Sequence, residues 1–292
     1  MATDPIHVGV FGLGTMGAGM ARSLLREGIE TVVWDRSRER SQPFAALGAT
    51  VAATAEIAAK QSDVAITMVT DADAVLAVAD EHNMLAALPM NATWLQMSTI
   101  GVAGFDRVAQ LVDATRPDVA VFDAPVSGTK GNAEAGQLTI FASGPDDQRD
   151  SVRQVFDAIA GRTIWLGPAG LGSGLKLVNN LMLAFVVEGM SEAISLAHSV
   201  GLTTEAVIQA IGVGPLASPY TTAKLERIAR NDYDPEFSLS LALKDVHLAL
   251  DTAVYGELPT LASLAREWQY AKDRGFGSQD VTTVVRALAG SS

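Results

Sequence analysis

The 292-residue chain contains no cysteine, so disulfides, thiolate metal sites and a cysteine nucleophile are excluded and redox logic does not set its compartment. It also lacks any lysine- or arginine-rich run: 21 Lys and Arg stand against 33 Asp and Glu, a net charge of -12. That average field repels polyanions, so neither nucleic acid nor an anionic membrane surface is an expected partner. A small anionic substrate answers to local charge and stays open. Long apolar runs are missing too. The greasiest stretch, Leu181 to Val187, is followed by Glu188 and Glu192 and is far short of the roughly 20 residues a membrane span needs; a core helix is expected. No His, Asp and Glu cluster has metal-ligand spacing, and no metal is expected. The N-terminal residues run into a strand without a charged and apolar leader pattern or an arginine-rich transit pattern, which makes the cytoplasm the expected location.

What is present is a chain with 48% hydrophobic residues, enough for a full-sized core. From Ile6 onward, short apolar runs alternate with helical periods: Val8 to Phe11 then Met16 to Leu25, Thr31 to Trp34 then Ser37 to Leu47, Val64 to Met68 then a helix from about Ala72. The series continues through Thr93 to Met97, Val119 to Phe122, Leu138 to Ala142 and Thr163 to Leu166. Strands separated by helices predict a largely parallel sheet covered on both faces. After Gly167 the pattern is helical: a long helix from Gly172 to about Ser199, then segments near 204–211, 219–230, 239–255, 259–274 and 280–288. The expected class is therefore α/β, a doubly wound, Rossmann-type domain over residues 1–167 followed by an all-helical domain over 168–292.

Gly12-Leu13-Gly14-Thr15-Met16-Gly17 sits between the first strand and the first helix, the context that makes G-x-G-x-x-G a dinucleotide loop. The first glycine makes the turn, the second lets backbone amides approach a pyrophosphate, and the third lets helix and strand pack. Asp35 closes the second strand 23 residues after Gly12, placed to accept from ribose hydroxyls, as NAD requires. Arg36 and Ser37 follow at once, with Arg38 and Arg40 behind, and a guanidinium beside a hydroxyl suits a 2′-phosphate. Both cofactors stay open, with NADP(H) favoured over NAD(H).

Two further segments carry chemistry. Asp123-Ala-Pro-Val-Ser127-Gly128 leaves a strand for a polar loop, offering a hydroxyl and backbone amides to a carboxylate. Lys176 and Asn180 lie four residues apart at the head of the apolar helix and so project from one side of it. Burying an ammonium and an amide is costly without partners or a task. On this segment alone, a lysine that snorkels to water reads equally well.

Together the Gly12 loop, the Asp123 to Gly128 segment, the run Gly170 to Asn180 and a late Lys244-Asp245 pair resemble the β-hydroxyacid dehydrogenases, the family of 3-hydroxyisobutyrate dehydrogenase, almost end to end. Met68-Val-Thr-Asp71 and the run from Ser127 through Lys130 to Leu138 look more like the glyoxylate and succinic semialdehyde reductase branch. The resemblance implies that Lys176 is the catalytic acid/base, that Asn180 orients the substrate and that Ser127 and Gly128 hold its carboxylate. It further implies that Phe237 and Asp245 border the substrate, that Thr99 lies near it or the nicotinamide ribose, that Met68, Val69 and Thr70 flank the cofactor and that Lys244 reaches it. A homodimer or homotetramer built through the helical domain is implied as well.

Reducing an aldehyde requires a hydride on carbon and a proton on oxygen; the nicotinamide supplies the first and a donor within hydrogen-bond reach the second. Lys176 suits the second task. In the reverse direction desolvation would have to lower its affinity for the proton, because the ordinary lysine value of about 10.4 is too high for a base. His7, His82, His198 and His247 read as ordinary surface or core histidines, without the Arg and carboxylate a histidine-based hydride transfer needs. The expected function is thus hydride transfer between nicotinamide and a small carboxylate-bearing aldehyde or hydroxyacid. An imine reductase on the same architecture is the nearest enzyme alternative, disfavoured by Lys176, and a catalytically silent NADP-binding scaffold is the alternative of another class.

Overall fold

The structure, a computed structural model, describes residues 6–253 and 258–289. They fall into two compact units, Met1–Lys176 and Leu177–Ser292.

The first unit is built on a six-stranded parallel sheet of order β3-β2-β1-β4-β5-β6: β1 His7–Phe11, β2 Glu30–Trp34, β3 Thr50–Val51, β4 Val64–Thr67, β5 Thr93–Gln96 and β6 Ala120–Asp123. Central strands are apolar on both faces, as helices on both sides require, and Val8, Val10, Phe11 and Ile66 are fully buried. One face is covered by α1 (Thr15–Arg26), α7 (Lys130–Ala135) and α8 (Arg149–Ile159), the other by α3 (Ala55–Ala59), α5 (Met84–Ala87) and α6 (Gly101–Thr115). Helix α8 shows how the pattern dictates this. Val152, Val155, Phe156 and Ile159 recur at helical spacing and are all buried, each side chain contributing about 1.5–3 kcal/mol of apolar burial. The strand order reverses between β1 and β4, and at such a switch the loops leaving the strand ends open a crevice for ligands.

Three details differ from the sequence expectation. The helix expected over Ser37 to Leu47 is α2 (Arg38–Ser41) followed by a 3-10 turn over Gln42–Leu47, because Pro43 has no N–H to continue an α-helix. Helix α4 (Ala72–Leu76) relaxes into a π turn over Ala77–Glu81. The segments Leu138–Ala142 and Ala160–Trp165 do not extend the large sheet. They are β8 and β9 of a separate three-stranded sheet, in which β7 (Val126–Ser127) runs antiparallel to β8. Pro125 interrupts the chain after β6, and an isolated Asp123–Ser143 bridge joins the two sheets.

The second unit is helical. It takes up the chain within α9 (Leu171–Ser199) and continues through α10 (Thr204–Ile211), α11 (Pro219–Ala229), α12 (Leu239–Thr252), α13 (Pro259–Ala271) and α14 (Val284–Ala289). The expected end of α12 near Tyr255 lies outside the described residues. Helix α9 is long and apolar enough to cross a membrane by length and composition alone. However, Leu177, Ala184, Val187, Met190 and Ile194 on one of its faces belong to the core of the helical unit, and its Glu188 accepts from Trp268 Nε1 at 2.7 Å. Burial pushes the Glu188 carboxyl upward from its ordinary value.

Candidate active site

At the switch point the glycine loop has the three properties its motif promised. Gly12 sits at φ +100, a conformation that favours glycine, and a Cβ there would strike the Met68 carbonyl oxygen. A Cβ on Gly17 would strike the Gly12 carbonyl oxygen, which is why helix and strand can pack so closely. Gly14 is different: a Cβ there would have nothing within 4 Å. It is the N-cap of α1, which has no side-chain cap and no acidic residue in its first turn. Its leading amides and the positive end of the helix dipole therefore face an open side, the arrangement that receives an anion.

Asp35 fastens this loop from beneath. Leu13 N donates to its Oδ2 at 2.7 Å and Ser37 N to its Oδ1 at 2.7 Å. Each oxygen keeps a lone pair for a ribose hydroxyl. Beside it lies a cavity of about 430 Å³ whose lining includes Trp34, Asp35, Arg36, Arg38, Thr54 and His82. The His82 and Trp34 rings stand 5.2 Å apart. An open glycine, a ribose acceptor and a flanking cavity fit the adenosine diphosphate half of a dinucleotide. His82 and Arg38 belong to this wall, and the sequence signal for His82, a lone histidine in a polar loop, was too weak to find it.

The ends of β4 and β5 are locked by a residue that sequence reasoning missed. Ser98 is fully buried; its hydroxyl accepts from Val69 N at 2.8 Å and donates to Thr67 O at 3.3 Å, while its backbone exchanges two hydrogen bonds with the Gln96 side chain. This holds Met68 and Val69 against the glycine loop and sets the half-buried Thr99 next in the chain. Two polar residues closing an otherwise apolar strand were the available signal. Asp71, next to Thr70, caps α4 through Ala74 N at 2.8 Å.

At the third loop, Ser127 ends the short β7 half-buried, and Gly128 adopts φ +146. A Cβ on Gly128 would lie 2.9 Å from Leu138 Cδ2 and 3.0 Å from Asn132 Cβ, so only glycine fits. The Thr129 amide is taken by Asn132 Oδ1 at 2.9 Å in a capping box that starts α7. The Thr129 amide is thus spent within the loop and not left for a ligand.

Asp123, at the start of that loop, reaches the head of α9. Its fully buried carboxylate accepts from Ser173 N at 2.6 Å and Ser173 Oγ at 2.7 Å, while Ser143 Oγ accepts from Gly172 N at 2.9 Å. Amides in the first turn of a helix have no intrahelical partner, and the sheet supplies one. A Cβ on Gly172 would meet the carbonyl oxygens of Phe141 and Asp123, so the contact is backbone on backbone. Burial pushes the Asp123 carboxyl up to about 6 against the opposing pull of the Ser173 hydrogen bonds. One turn on from this anchor comes Lys176, only 9% exposed.

In the second unit Asn180 is buried and donates from Nδ2 to Asp245 Oδ2 at 2.6 Å, while its Oδ1 accepts from Asn179 at 3.0 Å. Its amide orientation is therefore fixed by its neighbours. Lys244 Nζ lies 2.8 Å from Asp245 Oδ1 as an ion pair. Phe237 is held from behind by Asp280, whose buried carboxylate accepts from Phe237 N at 3.2 Å and from Lys224 Nζ at 3.0 Å. Burial, the largest single influence, would raise the Asp280 carboxyl, but the Lys224 charge and the hydrogen bonds from Lys224, Phe237 N and Thr282 N together hold it below the ordinary range. Lys224 and Asp280 were not legible as partners, being 56 residues apart. The remaining histidines are accounted for by local contacts: His7 with Glu30 and Asp63, His198 with Thr204, and His247 on the exposed side of α12.

Comparison with known proteins decides the family. Residues 7–167 match the NAD binding domain of 6-phosphogluconate dehydrogenase, and residues 170–288 match the family described as "NAD-binding of NADP-dependent 3-hydroxyisobutyrate dehydrogenase". The chain belongs to the β-hydroxyacid dehydrogenases, of the 3-hydroxyisobutyrate dehydrogenase type. Glyoxylate/succinic semialdehyde reductase 1 of Arabidopsis thaliana is 28% identical over 288 residues, spanning 97% of this chain and 98% of that protein. The crystal structure of 3-hydroxyisobutyrate dehydrogenase from Salmonella typhimurium aligns with a TM-score of 0.88 at 27% identity, covering 96% of this chain and 99% of that one. An imine reductase from Pseudomonas sp. aligns at 23% identity with a TM-score of 0.62, covering 98% and 100%, a likeness of fold alone. This β-hydroxyacid dehydrogenase is accordingly an NAD(P)-dependent oxidoreductase.

Proposed function

We propose that the enzyme reduces a short aldehyde bearing a carboxylate, or oxidises the corresponding hydroxyacid, with Lys176 as the proton donor and acceptor. The observation that carries this reading is a lysine 9% exposed, one turn beyond a helix start whose amides are held by Asp123 and Ser143. An ammonium kept in a largely desolvated position stabilises a developing alkoxide far better than it would in water. Bound nicotinamide supplies or takes the hydride. Lys176 hands the proton to the carbonyl oxygen, and Asn180, its amide fixed by Asp245, orients the substrate without competing for that proton. Ser127 and Gly128 take the carboxylate; Thr99 and Phe237 border the substrate. Lys244 contributes to the cofactor.

NADP(H) is the proposed cofactor. Arg36 and Arg38 both line the cavity beside Asp35, where two guanidinium groups suit a 2′-phosphate. The Asp35 carboxylate, which would repel that phosphate, has both oxygens drawn to backbone amides.

The test is to follow NADPH oxidation with glyoxylate, succinic semialdehyde and methylmalonate semialdehyde, in the parent and in Lys176→Ala. The variant should lose about 10²–10⁴-fold in kcat while its NADPH-binding fluorescence stays unchanged. Turnover at the parental rate would sink the assignment. Faster reduction of a cyclic imine than of any aldehyde would move the enzyme to the other reaction class.

A further inference from the structure

Lys224 and Asp280 form a charged pair inside the helical unit that the proposed mechanism does not use. Lys224 is 3% exposed and Asp280 0%. The ammonium spends all three of its protons: it donates to Asp280 Oδ1 and Oδ2 at 3.0 Å each and to Glu236 Oε2 at 3.1 Å. No donor is left for a ligand, so the pair is not a second catalytic centre. Stability alone is a weak reason for it, because apolar residues of the same volume often serve a core as well as a buried ion pair does. What a hydrogen-bonded pair supplies is direction, and its direction shows in the backbone it holds.

Residues 230–237 join α11 to α12 without helix or strand. Asp280 accepts from Glu236 N and Phe237 N at 3.2 Å each. The turn that carries it continues the contact: Asp280 N donates to Tyr233 O and Val281 N to Phe237 O, both at 2.9 Å. The same turn closes the start of α12. Leu239 N donates to Gln279 O and Ser240 N to Gly277 O, both at 2.9 Å, which satisfies two amides that a helix start leaves without partners. Six residues beyond Leu239, about 9 Å along the axis, α12 carries Asp245, whose Oδ2 accepts from the Asn180 amide at 2.6 Å. The buried Leu239, Leu243 and Val246 hold α12 in the core, but apolar packing is non-directional and packed helices slide by small amounts. Hydrogen bonds at the helix start remove that freedom.

We propose that Lys224 and Asp280 are positioning residues for the reaction: their clasp fixes where α12 begins and, through Asp245, holds the Asn180 amide in place for the substrate. The inference rests on the reading of Asn180 as the group that orients the substrate. A misplacement of about 1 Å can cost about 100-fold in rate even when its cause lies far from the chemistry, so a distant anchor leaves a kinetic signature.

Asp280→Asn with Lys224→Met removes both charges while keeping an acceptor for the loop amides and the stem of the lysine. Reduction of the aldehyde that the parent turns over fastest should slow about tenfold in kcat, with NADPH binding unchanged by fluorescence titration. The decisive comparison repeats the pair of replacements in Asn180→Ala. There it should cost less than about twofold more, because residues that act through one group are not additive. A scaffold role would slow both backgrounds alike. Should the double variant not fold, Glu236→Ala, at a side chain 40% exposed, removes one acceptor of the lysine and should show the same pattern at about threefold. Equal losses in the two backgrounds, or a clasp variant at the parental kcat, overturn the proposal and leave the reading of Asn180 intact. Asn180→Ala at the parental rate overturns that reading and the proposal with it.

Discussion

Two helices of the first unit begin after glycine-bearing loops, and they use their first turns in opposite ways. Helix α1 starts at Gly14 with no side-chain cap and an open side. Helix α9 starts with its amides consumed by Asp123 and Ser143 and its backbone laid on the sheet. A helix N-terminus is an anion site only when nothing internal has claimed it. The first leaves its donors open to an anion; the second spends them on fixing the helix that carries Lys176.

The strongest way to break this contrast is to remove the anchor. Asp123→Ala leaves the Ser173 amide and hydroxyl buried without an acceptor, and should destabilise the protein by about 3 kcal/mol in urea unfolding. It should also lower kcat more than the affinity for NADPH, which a purely global loss of fold would not separate. Of similar size is a pH effect. The Asp123 carboxyl is raised to about 6 from an ordinary 3.8, so the folded state binds the extra proton between those values. The contribution is fully present below pH 3.8 and lost as the pH rises through 6, about 3 kcal/mol in all. Relative to Asp123→Asn, the parent should therefore gain about that much stability between pH 7 and pH 4; a constant difference would contradict it.

The open helix start predicts the reverse behaviour. Gly14→Ala should change stability by less than about 0.5 kcal/mol, because its methyl meets nothing in the protein. Yet it should weaken NADPH binding about tenfold, as the added carbon enters the path of the pyrophosphate. Gly17→Ala, which collides with the Gly12 carbonyl, should cost both, and equal losses in the two variants would erase the distinction. Smallest in scale, Arg36→Ala should raise the NADPH Kd by several-fold and leave NADH nearly untouched, measured by titration of cofactor fluorescence.

Much of the candidate site was legible because its residues announce themselves locally. Gly12, Gly14 and Gly17 lie within six residues, Asp35 ends the adjoining strand, and Lys176 and Asn180 share a helix side by spacing alone. The anchoring residues were not legible. Asp123 meets Ser173 across 50 residues, Ser98 meets Val69 across 29, and Lys224 meets Asp280 across 56. Each is an ordinary polar residue until the partner that satisfies it is known. The separate β7-β8-β9 sheet escaped for a related reason: an apolar run reports a strand but not the edge with which it pairs.

By itself the sequence determined the glycine-rich turn after the first strand, the succession of strands and helices, and the placing of Lys176 and Asn180 on one side of a helix, since these depend on residue type and on spacing within one element. Only the tertiary structure decided which helix start is left open and which is closed, which carboxylate anchors the start of α9, and which face of α9 stays uncovered. Those outcomes turn on whether a polar group or an apolar stripe finds its partner far away in the chain.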